Sequence, residues 1–258
     1  MFGFPRAKRP EGGKFKKNLL KSVILQVKFK KNAEIVDTFK ARKECFKSKF
    51  PIINQISLDT AEIKFQKDKT PIIQTALNAA HGYEFKTENG KQTVAITLDS
   101  FSYTIAGMDY SNFPEVMSNV KEVFFPIFRE GTPLIFERIA IRKINLVEPE
   151  DQSISIKDLL QLTFKKQLVK NISCFPDFIA SGVTNVRLEN SDKRLNLVYG
   201  LICPKPKVKH VILDIDMFLI NQNLRLDSLE TKWKEINDEV FNIFNWCISK
   251  DLITDLSK

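Results

Sequence analysis

Strict alternation of apolar and polar side chains recurs along this chain, and that period of two does most to narrow its fold. From Val23 onward, Val23, Leu25, Val27 and Phe29 take one side of an extended backbone, with Ile24, Gln26, Lys28 and Lys30 on the other. Tyr83 and Phe85 alternate with Glu84 and Lys86, and Val94, Ile96 and Leu98 resume the pattern after Asn89-Gly90. Asn-Gly between two alternating runs predicts a hairpin, because both turn residues must accept positive φ. Phe101, Tyr103 and Ile105 continue this series, and Ala61, Ile63 and Phe65 mark a further strand. Residues 134–147 read as one long strand. Residues 178–188, 195–203 and 208–219 read as three more, the first two joined across Asn190-Ser191-Asp192.

Helical periodicity separates these runs. Asn32 is placed to cap a helix in which Ile35, Phe39, Phe46 and Phe50 keep to one side, ended by Pro51. Residues 70–80 read as a short helical or loop connection. Asn112 and Glu115 fit a capping box with Pro114 in the first turn, and Val116, Val120, Val123 and Ile127 carry that helix to about Arg129, disturbed near Pro126. Residues 156–169 read as helix. Asp227 and Glu230 form another capping box, ahead of a long amphipathic helix through Leu229, Trp233, Ile236, Val240, Phe241, Phe244 and Ile248. At that spacing Trp233 reads as core, whereas Trp246 falls to one side. The order predicts an α+β fold: a large antiparallel sheet with helices mainly on one face and a long C-terminal helix. It also admits two similar α+β halves meeting near 148–153, without a residue-level repeat. Residues 1–17, with two Pro, three Gly and a run of basic side chains, read as a flexible arm before a single domain over 18–258.

Charge is distributed unevenly. Residues 1–49 carry 15 Lys+Arg against 4 Asp+Glu, while the rest carries 25 against 27, so the first fifth accounts for the whole net charge of +9. Lys outnumbers Arg 31 to 9 and Phe outnumbers Tyr 21 to 4, a bias typical of an AT-rich genome, which makes the placement of the lysines more informative than their number. Lys40, Lys43 and Lys47 recur at helical spacing, and Lys28 and Lys30 extend the same field from the preceding strand. Such a patch attracts a protein partner with an acidic surface or the phosphates of a nucleic acid. No apolar run approaches the ~20 residues that span a bilayer, and the basic N-terminus leads into no apolar leader segment. Cys45, Cys174, Cys203 and Cys247 form no CxxC pair, in keeping with a cytoplasmic protein and against a zinc site.

The chemistry-bearing candidates are few. On the strand over 208–219, His210, Ile212, Asp214 and Asp216 share the face opposite Val211, Leu213, Ile215 and Met217. Asp214 and Asp216, spaced i and i+2, are the pattern with which a carboxylate pair holds a divalent cation, and with His210 they are the catalytic and metal candidates; otherwise they belong to a solvated face. Arg138 and Arg142 share a strand face and suit either an anion or local carboxylates. His81 is the only other histidine, and no phosphate-binding glycine loop is present, so neither a nucleophile triad nor a nucleotide cofactor is indicated; no cofactor is expected.

Three stretches carry a resemblance: Lys17-Asn18-Leu19-Leu20 with Val23, Gln26 and Phe29; Glu137-Arg138-Ile139-Ala140-Ile141-Arg142-Lys143-Ile144-Asn145; and Leu213-Asp214-Ile215-Asp216 followed by the Trp- and Phe-bearing C-terminal helix. In this order the chain resembles a sporadically distributed family of uncharacterised bacterial proteins. It departs from the family at Leu19, where a proline is usual, and at Lys143, where an aromatic often follows the second arginine. The resemblance implies carriage on mobile elements, near defence or toxin–antitoxin genes, and brings no catalytic residue with it. The expectation is a non-enzymatic binding or regulatory protein. The alternatives are a metal-dependent phosphotransfer or nuclease-type enzyme built on Asp214 and Asp216, and an antitoxin or obligate complex subunit.

Overall fold

The alternating runs pair strand by strand into one sheet. The computed structural model describes residues 2–10, 15–57, 60–64, 72–76, 80–130, 133–170, 181–205 and 207–258, and only the backbone at 57, 60–64, 72–76, 80 and 123. The first half of the chain runs β1 (Leu20–Phe29), α1 (Ala33–Ala41), α2 (Lys43–Phe46), β2 (Ile52–Ser57), β3 (Thr60–Lys64), β4 (Ile72–Ala76), β5 (Ala80–Lys86), β6 (Gln92–Thr97), β7 (Ser100–Ala106), α3 (Phe113–Val123) and α4 (Phe125–Phe128). The second runs β8 (Phe136–Val147), α5 (Ile156–Thr163), α6 (Lys166–Val169), β9 (Gly182–Asn190), β10 (Lys193–Lys205), β11 (Val208–Leu219), α7 (Leu226–Cys247) and α8 (Lys250–Ser257). Nine strands form an antiparallel sheet in the order β2-β5-β6-β7-β1-β8-β11-β10-β9, and β3 and β4 pair separately.

That order gives two similar α+β halves. In each, an opening strand is followed by helices, then by a meander of strands whose last member returns to pair with the first, then by a helix. The two opening strands, β1 and β8, pair with each other and join the halves at the middle of the sheet.

Register decides which face is buried. One continuous rung across all nine strands reads Ile53, Phe85, Val94, Tyr103, Leu25, Ile141, Met217, Leu195 and Leu188. The neighbouring rung, on the opposite face, reads Ile52, Lys86, Thr93, Thr104, Ile24, Arg142, Asp216, Asn196 and Arg187. A one-residue slip would exchange these two rows, so the pairing is strongly specified. The buried faces of α1, α3, α5 and α7 join the first row in a single apolar cluster. Trp233 of α7 is fully buried there, and its indole N–H donates to the Ala140 carbonyl at 3.2 Å.

Several local expectations need correction. The single helix expected after Asn32 breaks at Arg42 into α1 and α2. Residues 72–76 form a strand, in line with the β-branched Ile72, Ile73 and Thr75. The helix over 156–169 is interrupted at the extended residue Phe164, and the C-terminal helix at the extended residue Ile248, after which Ser249 caps α8. Asp227 lies inside the first turn of α7, whose cap position is Arg225, so the second capping box does not form. The first forms by half: the Asn112 side chain accepts from the Glu115 N–H at 2.9 Å, while the Glu115 carboxylate accepts from the Ser111 hydroxyl. The start of the strand expected at 178, and Cys174, lie outside the described residues.

The described residues of the basic N-terminal segment lie along α7 and α8. The Phe2 N–H donates to Glu239 Oε1 at 2.8 Å and the Ala7 N–H to Asn242 Oδ1 at 2.9 Å. Phe4 sets its edge against Trp246, giving that tryptophan an intramolecular neighbour, and Phe15 stacks on Phe241. The Lys16 and Lys17 N–H groups both donate to the Leu256 carbonyl.

The phenylalanine excess has a use in the first half. Phe124, just past α3, meets Phe101 at 4.9 Å, Tyr103 at 5.8 Å, Phe46 at 5.9 Å and Phe50 at 6.3 Å between ring centroids. It therefore ties α2 and Phe50 beyond it to β7. Phe124→Ala is expected to lower unfolding stability by about 3–5 kcal/mol in urea titration, because a ring enclosed by rings leaves a cavity that cannot collapse; a loss below about 1 kcal/mol would contradict this packing role.

Candidate functional site

The sheet positions two polar clusters, one on each face. On the open face, Arg142 of β8 holds Asp214 of β11 with two nitrogens: Nε lies 2.9 Å from Oδ1 and Nη2 lies 2.6 Å from Oδ2. This is a diagonal cross-strand pair, since Asp214 stands opposite Ile144. Arg138 lies 3.9 Å from Asp216, hydrogen-bonds to Gln26 of β1, and rests over the Phe218 ring at 4.2 Å. Ala140, between the two arginines and opposite Phe218, leaves room for that stacking. Asn196 of β10 donates to Asp216 at 3.3 Å. Burial pushes the Asp216 carboxyl upward, against the opposing pull of Arg138 and Asn196. Burial also lowers Arg138, whereas the hydrogen bonds to Asp214 raise Arg142.

The four charged residues expected from the sequence on β8 and β11 are thus brought together as two linked ion pairs. His210 sits on the same face toward the other end of β11, opposite Ile202. Among the described residues, no three His, Cys, Asp or Glu side chains gather in a set that could hold a metal ion. Both Asp214 oxygens already accept from a guanidinium fork, so the arrangement is suited to fixing a surface of mixed charge.

The lysines are divided between surfaces. Lys28, at the end of β1, stands opposite Arg138 on the open face, and Lys30 is exposed just beyond the strand. Lys40, Lys43 and Lys47 are exposed on α1, α2 and the turn after it, with Lys47 paired to Glu44 at 2.7 Å; their helices pack on the other side of the sheet. Arg9 and Lys17 are paired to the C-terminal helices, Arg9 with Asp238 at 2.6 Å and Lys17 with Asp255 at 2.8 Å. Part of the N-terminal charge excess is therefore neutralised within the chain.

The second cluster lies on the core face. Strand parity puts Lys143 in line with Ile139 and Ile141, between Val23 and Ile215 of the neighbouring strands. Its ammonium donates to Asn237 Oδ1 of α7 at 2.8 Å and to the Tyr110 hydroxyl at 3.5 Å, and lies 5.2 Å from the Tyr110 ring centre. It lines a cavity of about 290 Å³ between β8, α7 and the N-terminal segment. The cavity leaves it some accessible surface, yet it is surrounded by protein, and that burial, with the nearby Arg9 charge, pushes its pKa down to about 7. Asn145, two residues on, is buried and donates to the Leu213 carbonyl at 3.1 Å. Sequence reasoning did not single out Lys143 as a site. The signal was present: a lysine on the apolar parity of a strand. No protein-family model matches this chain, and no curated protein matches it.

Two measurements follow from this geometry. Asp214 is 6% exposed overall, whereas the Arg142 side chain is 46% exposed and can return to water. Arg142→Ala, which strands a buried carboxylate, is expected to destabilise by about 2 kcal/mol, and Asp214→Ala by less; equal losses in urea unfolding would contradict the asymmetry. The Lys143 pKa, lowered from 10.5 to about 7, means the unfolded state binds more protons between those values. Stability should therefore rise with pH from 7 toward 10, by at most about 1.4 kcal/mol per unit. Above that range Tyr103 and Tyr110, raised to about 12, act in the opposite direction. Lys143→Met should flatten the rise between pH 7 and 9.5, and an undiminished rise in this variant would rule Lys143 out as its source.

Proposed function

We propose that this chain is a non-catalytic binding or regulatory protein of the bacterial cytoplasm, in the mobile-element or defence context that the resemblance implies, and that an acidic protein surface docks on the open sheet face. The observation that carries this reading is the one-sided packing: the described helices bury their apolar faces in the cluster on one side of the sheet, leaving the other rung row to solvent. Nine strands at ~4.8 Å spacing, each contributing several residues, make a face about 40 Å by about 20 Å. That matches the roughly 800 Å² per partner of an ordinary protein interface. Among the described residues, no helix is long and apolar enough to cross a membrane.

Charge and shape favour protein over nucleic acid. Lys28, Lys86, Arg138, Arg142, Arg187 and Arg194 on this face outnumber Glu84, Asp214, Asp216 and Glu189, so a modest positive surplus remains after pairing. The remaining positions mix hydrogen-bonding side chains such as Ser102, Thr104 and Asn185 with apolar ones such as Ile24, Ile144 and Val198, the composition of an ordinary protein interface. A single-stranded nucleic acid is held on a sheet by stacking on exposed aromatics. Phe218, the aromatic among these rungs, is covered by Arg138.

A photo-crosslinking residue at Thr104 or Asn196, with a control at Glu44 on α2, tests this in the native host. The expected result is one discrete protein adduct from the sheet positions and none from the control. Recovery of nucleic acid from the sheet positions, or the same adducts from Glu44, would overturn the proposal.

A further inference from the structure

We infer that the cavity beneath the N-terminal segment is a binding site for a small apolar carboxylic acid, with the carboxylate against the Lys143 ammonium and the apolar body along the segment and α7. The cavity lies on the opposite side of the sheet from the docking face, and the inference does not depend on that face.

The composition of the walls sets the ligand class. Phe15 and Leu19 from the segment, Ile215 from β11, and Val240, Phe241 and Phe244 from α7 provide a mainly apolar lining. Lys143, Tyr110 and Asn145 stand against it on or next to the sheet, and Arg9, Lys16 and Lys17 add basic groups from the segment. An apolar enclosure with a few convergent polar groups is the usual form of a small-molecule site. At ~30 Å³ per water-sized atom, the 290 Å³ volume takes about ten non-hydrogen atoms. That is the size of a medium-chain acid.

Lys143 supplies the head-group preference. Its hydrogen-bond partners, Asn237 and Tyr110, are neutral, and among the described residues no carboxylate forms an ion pair with it. The charged and titratable groups around it are Arg9, Lys16 and Lys17 from the segment, Tyr110, and Asp238 of α7. Asp238 is engaged by Arg9, and Lys17 by Asp255. A cation is thus held at the wall of an apolar cavity without an internal counter-charge, which a ligand carboxylate supplies. The Lys143 pKa of about 7 adds a consequence: at pH 8 much of the lysine is neutral, and a carboxylate drives it to take up a proton.

Calorimetry with octanoate, octanol and octylamine on the full chain tests the site. Octanoate is expected to bind at pH 6.5 at least tenfold more tightly than octanol, and octylamine more weakly still. Lys143→Met should cost octanoate at least tenfold and leave octanol unchanged. Should that variant fail to fold, the unaltered protein still decides: at pH 8 the binding heat must depend on the ionisation enthalpy of the buffer, showing proton uptake. Its affinity must also fall by up to about tenfold per pH unit above pH 7. Absence of octanoate binding, equal binding of octanol, unchanged octanoate affinity in a folded Lys143→Met, or binding at pH 8 without proton uptake would each overturn the assignment.

Discussion

The antiparallel contact between β1 and β8 is the join on which the rest of the molecule depends. Val23, Leu25 and Val27 meet Lys143, Ile141 and Ile139 across it, so the apolar row of one half continues into the other. Neither half closes its own core there; the core-face residues of β1 and β8 belong to one buried cluster with those of both flanking meanders. Because side chains alternate strictly, fixing the register of this one pair fixes the burial of both halves. The helices follow, each laying an apolar stripe on the face that the register has selected.

Lys143 is the exception within that row, and its neighbours adapt to it. Asn237 stands on the buried side of α7, and Tyr110 follows the short turn at Gly107–Asp109, so two polar groups from different elements converge on one ammonium. Burying a lysine without an ion pair is unfavourable, and such an arrangement lowers stability at neutral pH relative to an apolar side chain that filled the same space. The open face is organised in the opposite manner. There Arg142 and Asp214, and Arg138 and Asp216, satisfy one another, and the polar side chains are held in place before any partner arrives.

The strands were legible because their signal is local: alternation in 23–29, 83–86, 94–98 and 208–219, and the Asn89-Gly90 turn, in which Gly90 alone, at +68°, takes the positive φ expected of both residues. The shared face of Arg138 with Arg142, and of Asp214 with Asp216, followed from the same parity. Their pairing with each other did not, since it needs β8 beside β11. The helix breaks were hidden for a similar reason. Phe164 and Ile248 are extended because they bridge to each other, one contact interrupting two helical patterns far apart in sequence. The N-terminal segment read as a free arm because its acceptors, Glu239, Asn242 and the Leu256 carbonyl, lie at the opposite end of the sequence.

That last separation has a kinetic side. The bond from Phe2 to Glu239 spans 237 residues, among the longest contacts the chain makes, and loops of that size close late in folding. During synthesis the segment emerges ahead of the rest of the described chain and has no surface to lie on until α7 and α8 have left the ribosome. The sheet halves can pair before then, but the chamber beside Lys143 lacks a wall. Its completion therefore reports that the whole described chain, from Phe2 to Leu256, has been made and folded.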